Sequence, residues 1–589
     1  MSASSCAPLL NRLTAALGLA AALLVASCDK AAPPAVEQAP PAAEASVAAP
    51  AATFSVVEAS FTDMQAAMED GRVTSRQLVE QYLARIDQYG EQLGAALAVS
   101  DTALQKADEL DKERAAGKVR GPLHGIPIAL KDNIHTTDMP TTGGALAFKG
   151  YVPPYEATLV SNLEAAGAII LAKTTLTELA NWVATGMPNG YNAVGGYSYN
   201  PYDPRPDPRE GFDDGRPVLD TGGSSSGVGT AANLWAANVG TETSGSTQIP
   251  ANNNALAAIK PTVGRISRHG IIPITADQDT AGPMAKYVAD AAALLGAMES
   301  QDANDTTTGI CPPSASGAYS EHLLADALAG ARIGIPRSFY YQPVTPPGSD
   351  SPTGGLSAAE AAAMERVMAI LRDKGAVIVD PADIPSVIAE APEDNQLLFG
   401  NCYDLPQGKG GDEHCSIMLK YGMKRDFNSW LASLGDSAPL ANLTALREFN
   451  LAHEAQGAIK YGQAELDISD EMDVEADRDR WRADRDKDIR LSRTEGIDAA
   501  LQVHNLDALL FPAWKSENIL NKAGYPAIIV PFTAVPNTLD PPLPEGFDPR
   551  PLPFGISFVG TACSEPRLIE LAYAFEQATK ARRPPARFP

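Results

Sequence analysis

The stretch from Gly222 to Pro250, GGSSSGVGTAANLWAANVGTETSGSTQIP, constrains this chain more than any other. It has a Gly/Ser turn, a run of small residues around one tryptophan, and a second Gly/Ser turn closed by proline. Glycine opens backbone conformations and close approaches that side chains forbid. Two such turns close together therefore expose main-chain N–H groups and serine hydroxyls to whatever lies against them. Upstream, GPLHGIPIALKDNI, Gly121–Ile134, sets Lys131 at the end of an apolar run. Gly125 to Leu130 reads as a buried strand.

These parts suit acyl transfer. An amide carbonyl is a poor electrophile, so its attack needs an activated nucleophile and fixed donors for the developing oxyanion. Ser246, in the turn Thr241-Glu242-Thr243-Ser244-Gly245-Ser246, is a serine in such a setting. A lysine is normally charged, with a pKa of about 10.4. Burial at the end of an apolar strand disfavours the charged form and makes the amine a base. A serine of the first turn can relay the proton between them.

The rest of the chain reads as a large soluble α/β protein. Its 589 residues are 44% hydrophobic and 20% charged, with a net charge of -26. That balance argues against nucleic acid or an anionic membrane surface as main partner. Thr74-Ser75-Arg76-Gln77 is a capping box that opens a helix with Leu78, Val79, Tyr82, Leu83 and Ile86 at helical spacing. Helices are expected over 101–116, 158–166, 288–298, 358–374 and 565–579. Strands are expected at 168–171, 331–335, 376–379, 506–511, 526–531 and 554–559. Their alternation favours an α/β fold with a buried sheet. The Pro/Asp/Gly-rich segment Asn200–Asp220 reads as a loop at the rim of the site or as a disordered insertion. The charge run Glu471–Arg490 reads as a solvated helix face.

The N-terminus reads as an export signal. Arg12 precedes an apolar run, Leu13–Ala26, which ends in Ser27-Cys28. Small residues before Cys28 resemble a bacterial lipobox, with Cys28 lipidated and the product facing the periplasm. Residues 29–53, rich in Ala and Pro, read as a tether, and folding material starts at Phe54. The expected layout is therefore a signal at 1–28, a tether at 29–53 and one large domain at 54–589. Cys311, Cys402, Cys415 and Cys563 allow three disulfide connectivities, and the proximity of Cys402 and Cys415 favours that pair. No cysteine or histidine spacing points to a metal, and no cofactor is expected.

GPLHGIPIALKDNI, GGSSSG, GTETSGS, the downstream IKPTVGRISRHGIIPITADQDTAGPMAKYVADAAALL and the C-terminal AGYPAIIVP and PFGISFVGTACSEPRLIELAYAFEQATKARRPP together resemble the amidase signature family. The GTETSGS form and the C-terminal block are similar to its peptide-amidase-like and general amidase branch. The resemblance implies one large domain with a mixed central sheet covered by helices on both faces. It also implies a Ser-cisSer-Lys triad: Lys131 as base, Ser224 as relay after a cis peptide, and Ser246 as nucleophile. Backbone N–H groups of Thr243, Ser244, Gly245 and Ser246 would form the oxyanion hole. The implied substrate is a small-molecule or peptide amide.

Three features depart from the family pattern. The segment between the two turns is about two residues short, which leaves Ser225 or Ser226 as fallback relays. Thr247-Gln248 replaces the Ile-Arg that follows the nucleophile in many members, among them the glutamyl-tRNA amidotransferase A subunit. The Asn200–Asp220 insertion is the third. Asp132 and Asn133 read as braces for the lysine's strand end. Gln278-Asp279 reads as structural or as a layer behind the catalytic groups, and Trp182 and Trp235 as core or pocket wall. Three alternatives stand beside this reading. One is an α/β-hydrolase with Ser225 in a GxSxG elbow, which needs a strand directly before it. The others are a catalytically silent, tethered binding protein and an ester or acylamide hydrolase that uses the same residues.

Overall fold

The computed structural model describes residues 54–223, 226–405 and 408–588. The expected signal, Cys28, the tether and the serines Ser224 and Ser225 fall outside the described residues. Secondary structure begins as its local chemistry dictates. The Thr74 hydroxyl accepts from the Gln77 N–H and the Gln77 side chain accepts from the Thr74 N–H, which starts the helix Ser75–Leu93. Gly94, left-handed at φ 54°, ends it, where a residue with a Cβ would be strained.

Eleven strands form one mixed sheet. In chain order they are β1 Ala96–Val99, β2 Pro127–Lys131, β3 Ile169–Thr174, β4 Ala237–Glu242, β5 Ala257–Lys260, β6 Thr280–Ala285, β7 Arg332–Gly334, β8 Val377–Val379, β9 Ala508–Pro512, β10 Ala527–Val535 and β11 Leu552–Val559. Across the sheet the order is β1-β3-β2-β4-β6-β5-β10-β11-β9-β7-β8. β3, β2 and β4 run parallel, as do β9, β7 and β8; the remaining pairs are antiparallel.

Every residue of β2, β3, β4, β5, β6 and β9 is buried. Successive strand side chains point to opposite faces, so burial at every position means that both faces are covered. This is why Gly125–Leu130 reads as a continuous apolar run rather than an alternating one. Trp235 is fully buried in this core, with its indole N–H 2.8 Å from the Thr230 hydroxyl.

The expected helices appear as Ala103–Ala115, Thr158–Ala165, Val288–Met298, Ala358–Asp373 and Glu565–Thr579. Cys402 pairs with Cys415, and Cys311 with Cys563. The first bridge is the expected one. The second spans a sequence separation of 252 residues, which no spacing argument reaches.

Two expectations are corrected. Asn200–Asp220 is an ordered loop, not a disordered insertion. Ion pairs Arg205–Asp203 and Arg209–Asp207 and a bridge between Pro206 and Pro217 stiffen it. The charge run Glu471–Arg490 is not simply a solvated face. Its helix starts at Arg478, and Asp488 is fully buried, 2.6 Å from the equally buried Lys522. Asp484 accepts from the Ile417 N–H at 3.0 Å, and Arg485 donates to the Lys522 carbonyl at 2.6 Å. Charge alone could not reveal these inward partners, because each lies on another element. Asp488→Ala would strand the Lys522 ammonium in the core. It is expected to cost about 3–5 kcal/mol, read by denaturant unfolding.

Candidate active site

β2 and β4 are parallel neighbours, with Leu130 opposite Val239, so their carboxyl ends open on the same edge of the sheet. Ligand sites of α/β sheets form at such edges. Lys131 is the last residue of β2 and is fully buried. Its Nζ lies 2.8 Å from the Thr241 hydroxyl and 3.2 Å from the Thr241 carbonyl, at the end of β4. Asn133 also reaches the Thr241 hydroxyl, at 3.0 Å. Burial lowers the Lys131 pKa to about 7, against the opposing attraction of Asp279 and Glu242. The amine can therefore lose its proton near neutrality, which no surface lysine does.

Beyond Glu242 the chain makes the turn that carries Ser246. The buried Glu242 carboxylate accepts from the N–H groups of Thr247 and Gln248, at 2.8 and 3.1 Å, and from the Gln248 side chain at 2.8 Å. From the other side, the Thr243 hydroxyl donates to Asp279, and Gln278 donates to the Thr243 carbonyl at 2.9 Å. Asp279 in turn accepts from the N–H groups of Ile274 and Thr275, at 2.9 and 3.0 Å. The pair Gln278-Asp279 is thus the layer behind the turn.

Gly245 has φ 83°, and a Cβ there would overlap the Glu517 carboxylate and come within 2.7 Å of Ile249. Gly245→Ala is expected to cost about 1–3 kcal/mol through the left-handed backbone alone. Displacement of the turn should also remove most amide hydrolysis, read as kcat/KM beside the thermal midpoint. Among the described residues, the N–H groups of Thr243, Ser244, Gly245 and Ser246 donate no hydrogen bond. They are available to an oxyanion.

Ser246 faces a cavity of about 450 Å3, a size suited to a small ligand. Gly223, from the first Gly/Ser turn, shares the cavity, and a Cβ there would lie 3.3 Å from Ser246 Oγ. The two glycine-rich turns, separate in sequence, therefore meet at Ser246. Thr243, Ser244, Trp182, Met187, Ile249 and Ile274 also line the cavity. Trp182 is pocket wall and Trp235 is core.

Ser224 and Ser225 lie outside the described residues, so the relay has no described position. Ser226 is buried against Gly240 and makes no hydrogen bond to Lys131. Residues 218–223, the last described before Ser225, are irregular, so the strand that a GxSxG elbow requires is absent from them. Of the Asn200–Asp220 loop, only Asp220 reaches toward the site. It accepts from the Gly222 N–H at 2.8 Å and from the cavity-lining Asn189 at 3.1 Å. The loop body is not the rim of the cavity.

Asp132 braces the strand end as expected. It accepts from the Thr142 N–H at 3.0 Å and pairs with the buried Lys173 at 3.3 Å. Lys173 was not singled out in the sequence, and its signal was the charge inside the apolar run Ile169–Thr174. Glu517 and Glu465, both facing the cavity, were also missed. They stand far from the motifs, and only the fold brings them to the cavity that Ser246 lines. Among the described residues no group of three or more His, Cys, Asp or Glu side chains could hold a metal ion.

Comparison with known proteins agrees with this geometry. A family model described as Amidase matches residues 77–393. A protein of Arabidopsis thaliana named "Probable amidase" is 32% identical over 521 residues, covering 87% of this chain and 88% of the relative. The native peptide amidase of Stenotrophomonas maltophilia is 37% identical and superposes with a TM-score of 0.74, covering 90% of this chain and 98% of that one. An amidase family protein of Bacillus anthracis is 29% identical, also with a TM-score of 0.74, covering 90% and 92%. With a buried lysine of lowered pKa beside a serine turn of free N–H groups, and with these matches, the chain belongs to the amidase signature family and is a hydrolase of amide bonds.

Proposed function

We propose that this amidase deamidates peptide amides, releasing ammonia and a free carboxylate, through an acyl-enzyme on Ser246. The observation that carries the reading is the buried Lys131, whose pKa near 7 makes it a base at the carboxyl end of β2, beside the turn that presents Ser246. The similarity to a peptide amidase supports the substrate class.

In this mechanism Ser246 Oγ attacks the carbonyl carbon, and its proton passes through Ser224 to Lys131 Nζ. The tetrahedral oxyanion accepts from the N–H groups of the Thr243–Ser246 turn. Lys131 returns the proton to the leaving nitrogen as the C–N bond breaks and ammonia departs. Water then attacks the ester carbon, Lys131 takes its proton, and the acid leaves as Ser246 is restored.

A panel of N-acetylated dipeptide amides, followed by ammonia release and by the mass change from amide to acid, tests the reading. Turnover of the amides with release of the matching acids supports it. Hydrolysis of esters or aryl acylamides alone would replace the peptide-amide assignment, and absence of any acyl-enzyme on Ser246 would refute the mechanism.

A further inference from the structure

The cavity that holds Ser246 is acidic. Among the described residues, Glu465 and Glu517 are its only acidic lining residues, and no lysine, arginine or histidine lines it. Glu517 opens the short helix that follows β9 and presses against Gly245, next to the nucleophile. Its side chain keeps a window on the cavity but makes no hydrogen bond or ion pair with any described residue. Glu465 is 4% exposed. One of its oxygens holds the Thr185 hydroxyl and the Asp404 N–H, both at 2.9 Å. The other oxygen is buried without a partner. Two aromatic side chains, Trp182 and Tyr403, complete this part of the lining. Buried carboxyl oxygens without partners are costly, so a ligand that supplies donors gains what the protein leaves unmet.

We propose that Glu517 is a specificity-determining residue, which pairs with a cationic nitrogen of the substrate close to the scissile amide, so that the enzyme selects amides carrying an ammonium or guanidinium group. Glu465 adds negative charge to the same cavity and Trp182 and Tyr403 add rings that a cation can approach. An anionic substrate group meets two carboxyls and, among the described lining residues, no basic side chain, so it binds more weakly. The inference rests on the amidase reading of the same cavity.

The proton balance of this recognition is specific. Burial first, and then the nearby Glu242 of β4, raise the Glu517 pKa to about 8 in the empty cavity. Near neutral pH the carboxyl is thus mostly protonated, and a cation that binds beside it drives ionisation and releases a proton. The other charged groups around this end of the cavity are Glu465 from the helix Ala464–Asp470 and Lys131 from β2, which shares the influence of Glu242. Cation affinity should therefore rise with pH toward about 8.

Equilibrium binding separates this inference from the amidase reading. Calorimetry on Ser246→Ala, which retains bound amide, would compare N-acetyl-lysinamide, N-acetyl-norleucinamide and the α-amide of N-acetylglutamic acid. The lysine amide is expected to bind about ten- to a hundredfold more tightly than the norleucine amide, the range of a charge-assisted hydrogen bond. The glutamic acid amide is expected to bind weakest. In Ser246→Ala/Glu517→Gln the ratio of lysine to norleucine amide should fall toward one. Titrations in buffers of different ionisation enthalpy should show a proton released on lysinamide binding, and no release in the double variant. An unchanged ratio in the double variant, or equal affinity for all three amides, overturns the inference even if wild-type protein turns amides over. A collapse of the ratio upholds it even if the scissile substrate is another amide.

Discussion

Ser246→Ala is expected to lower kcat/KM for a peptide amide by about 10⁴-fold or more, the scale seen when a serine nucleophile is removed. The loss should fall on kcat. Glu242, Gln278 and Asp279 hold the turn from behind through the backbone and through Thr243 rather than through the Ser246 side chain. The thermal midpoint should therefore stay close to wild type. Treatment with a fluorophosphonate, followed by peptide mapping, should place one adduct on Ser246 and none in the variant. Retention of even a tenth of the wild-type rate would mean that the nucleophile lies elsewhere.

Lys131→Met is expected to remove about 10³-fold or more of the activity, because it deletes the amine that the proposed mechanism uses to take the serine proton. With neutral Lys131 as the proposed base, kcat/KM should rise with pH and level off above about 7. Below that, it should fall about tenfold per unit. Asp279 raises the lysine pKa, so Asp279→Asn should move the midpoint of this rise to lower pH.

The same shift bears on stability. The folded pKa lies below the unfolded value of 10.5, so the unfolded chain binds more protons between about 7 and 10.5. This contribution therefore makes the fold more stable as pH rises through that window. Lys131→Met removes the cost of burying the amine, and its thermal midpoint at neutral pH should equal or exceed that of wild type. A variant that is inactive but clearly less stable would show that the lysine serves the fold rather than the chemistry.

Much of the architecture was legible in sequence. The β2 and β3 runs are continuous rather than alternating, which identified strands covered on both faces. The Thr74 capping box and the helices at 288–298 and 565–579 follow from side-chain spacing and local hydrogen bonds. The charge run 471–490 misled because local composition cannot show that Asp488 meets Lys522 in the core. The Cys311–Cys563 bridge was illegible for the same reason, since its partners meet only after the sheet is built.

At the site the division is equally physical. Lys131 and the two glycine-rich turns were identifiable from their own neighbours, because an amine at the end of an apolar run and serines among glycines are local facts. The parallel pairing of β2 with β4 brought Lys131 to Thr241, and the return of the chain through the helix Gly227–Ala231 and β4 set Gly223 against Ser246. The depth of Lys131's burial, and with it a pKa near 7, depends on every layer packed over the sheet. Glu517 and Glu465 come from distant helices, and no periodicity marks them. Only tertiary structure brings two distant glutamates to one cavity with Ser246, because electrostatics acts through space while sequence patterns record only neighbours along the chain.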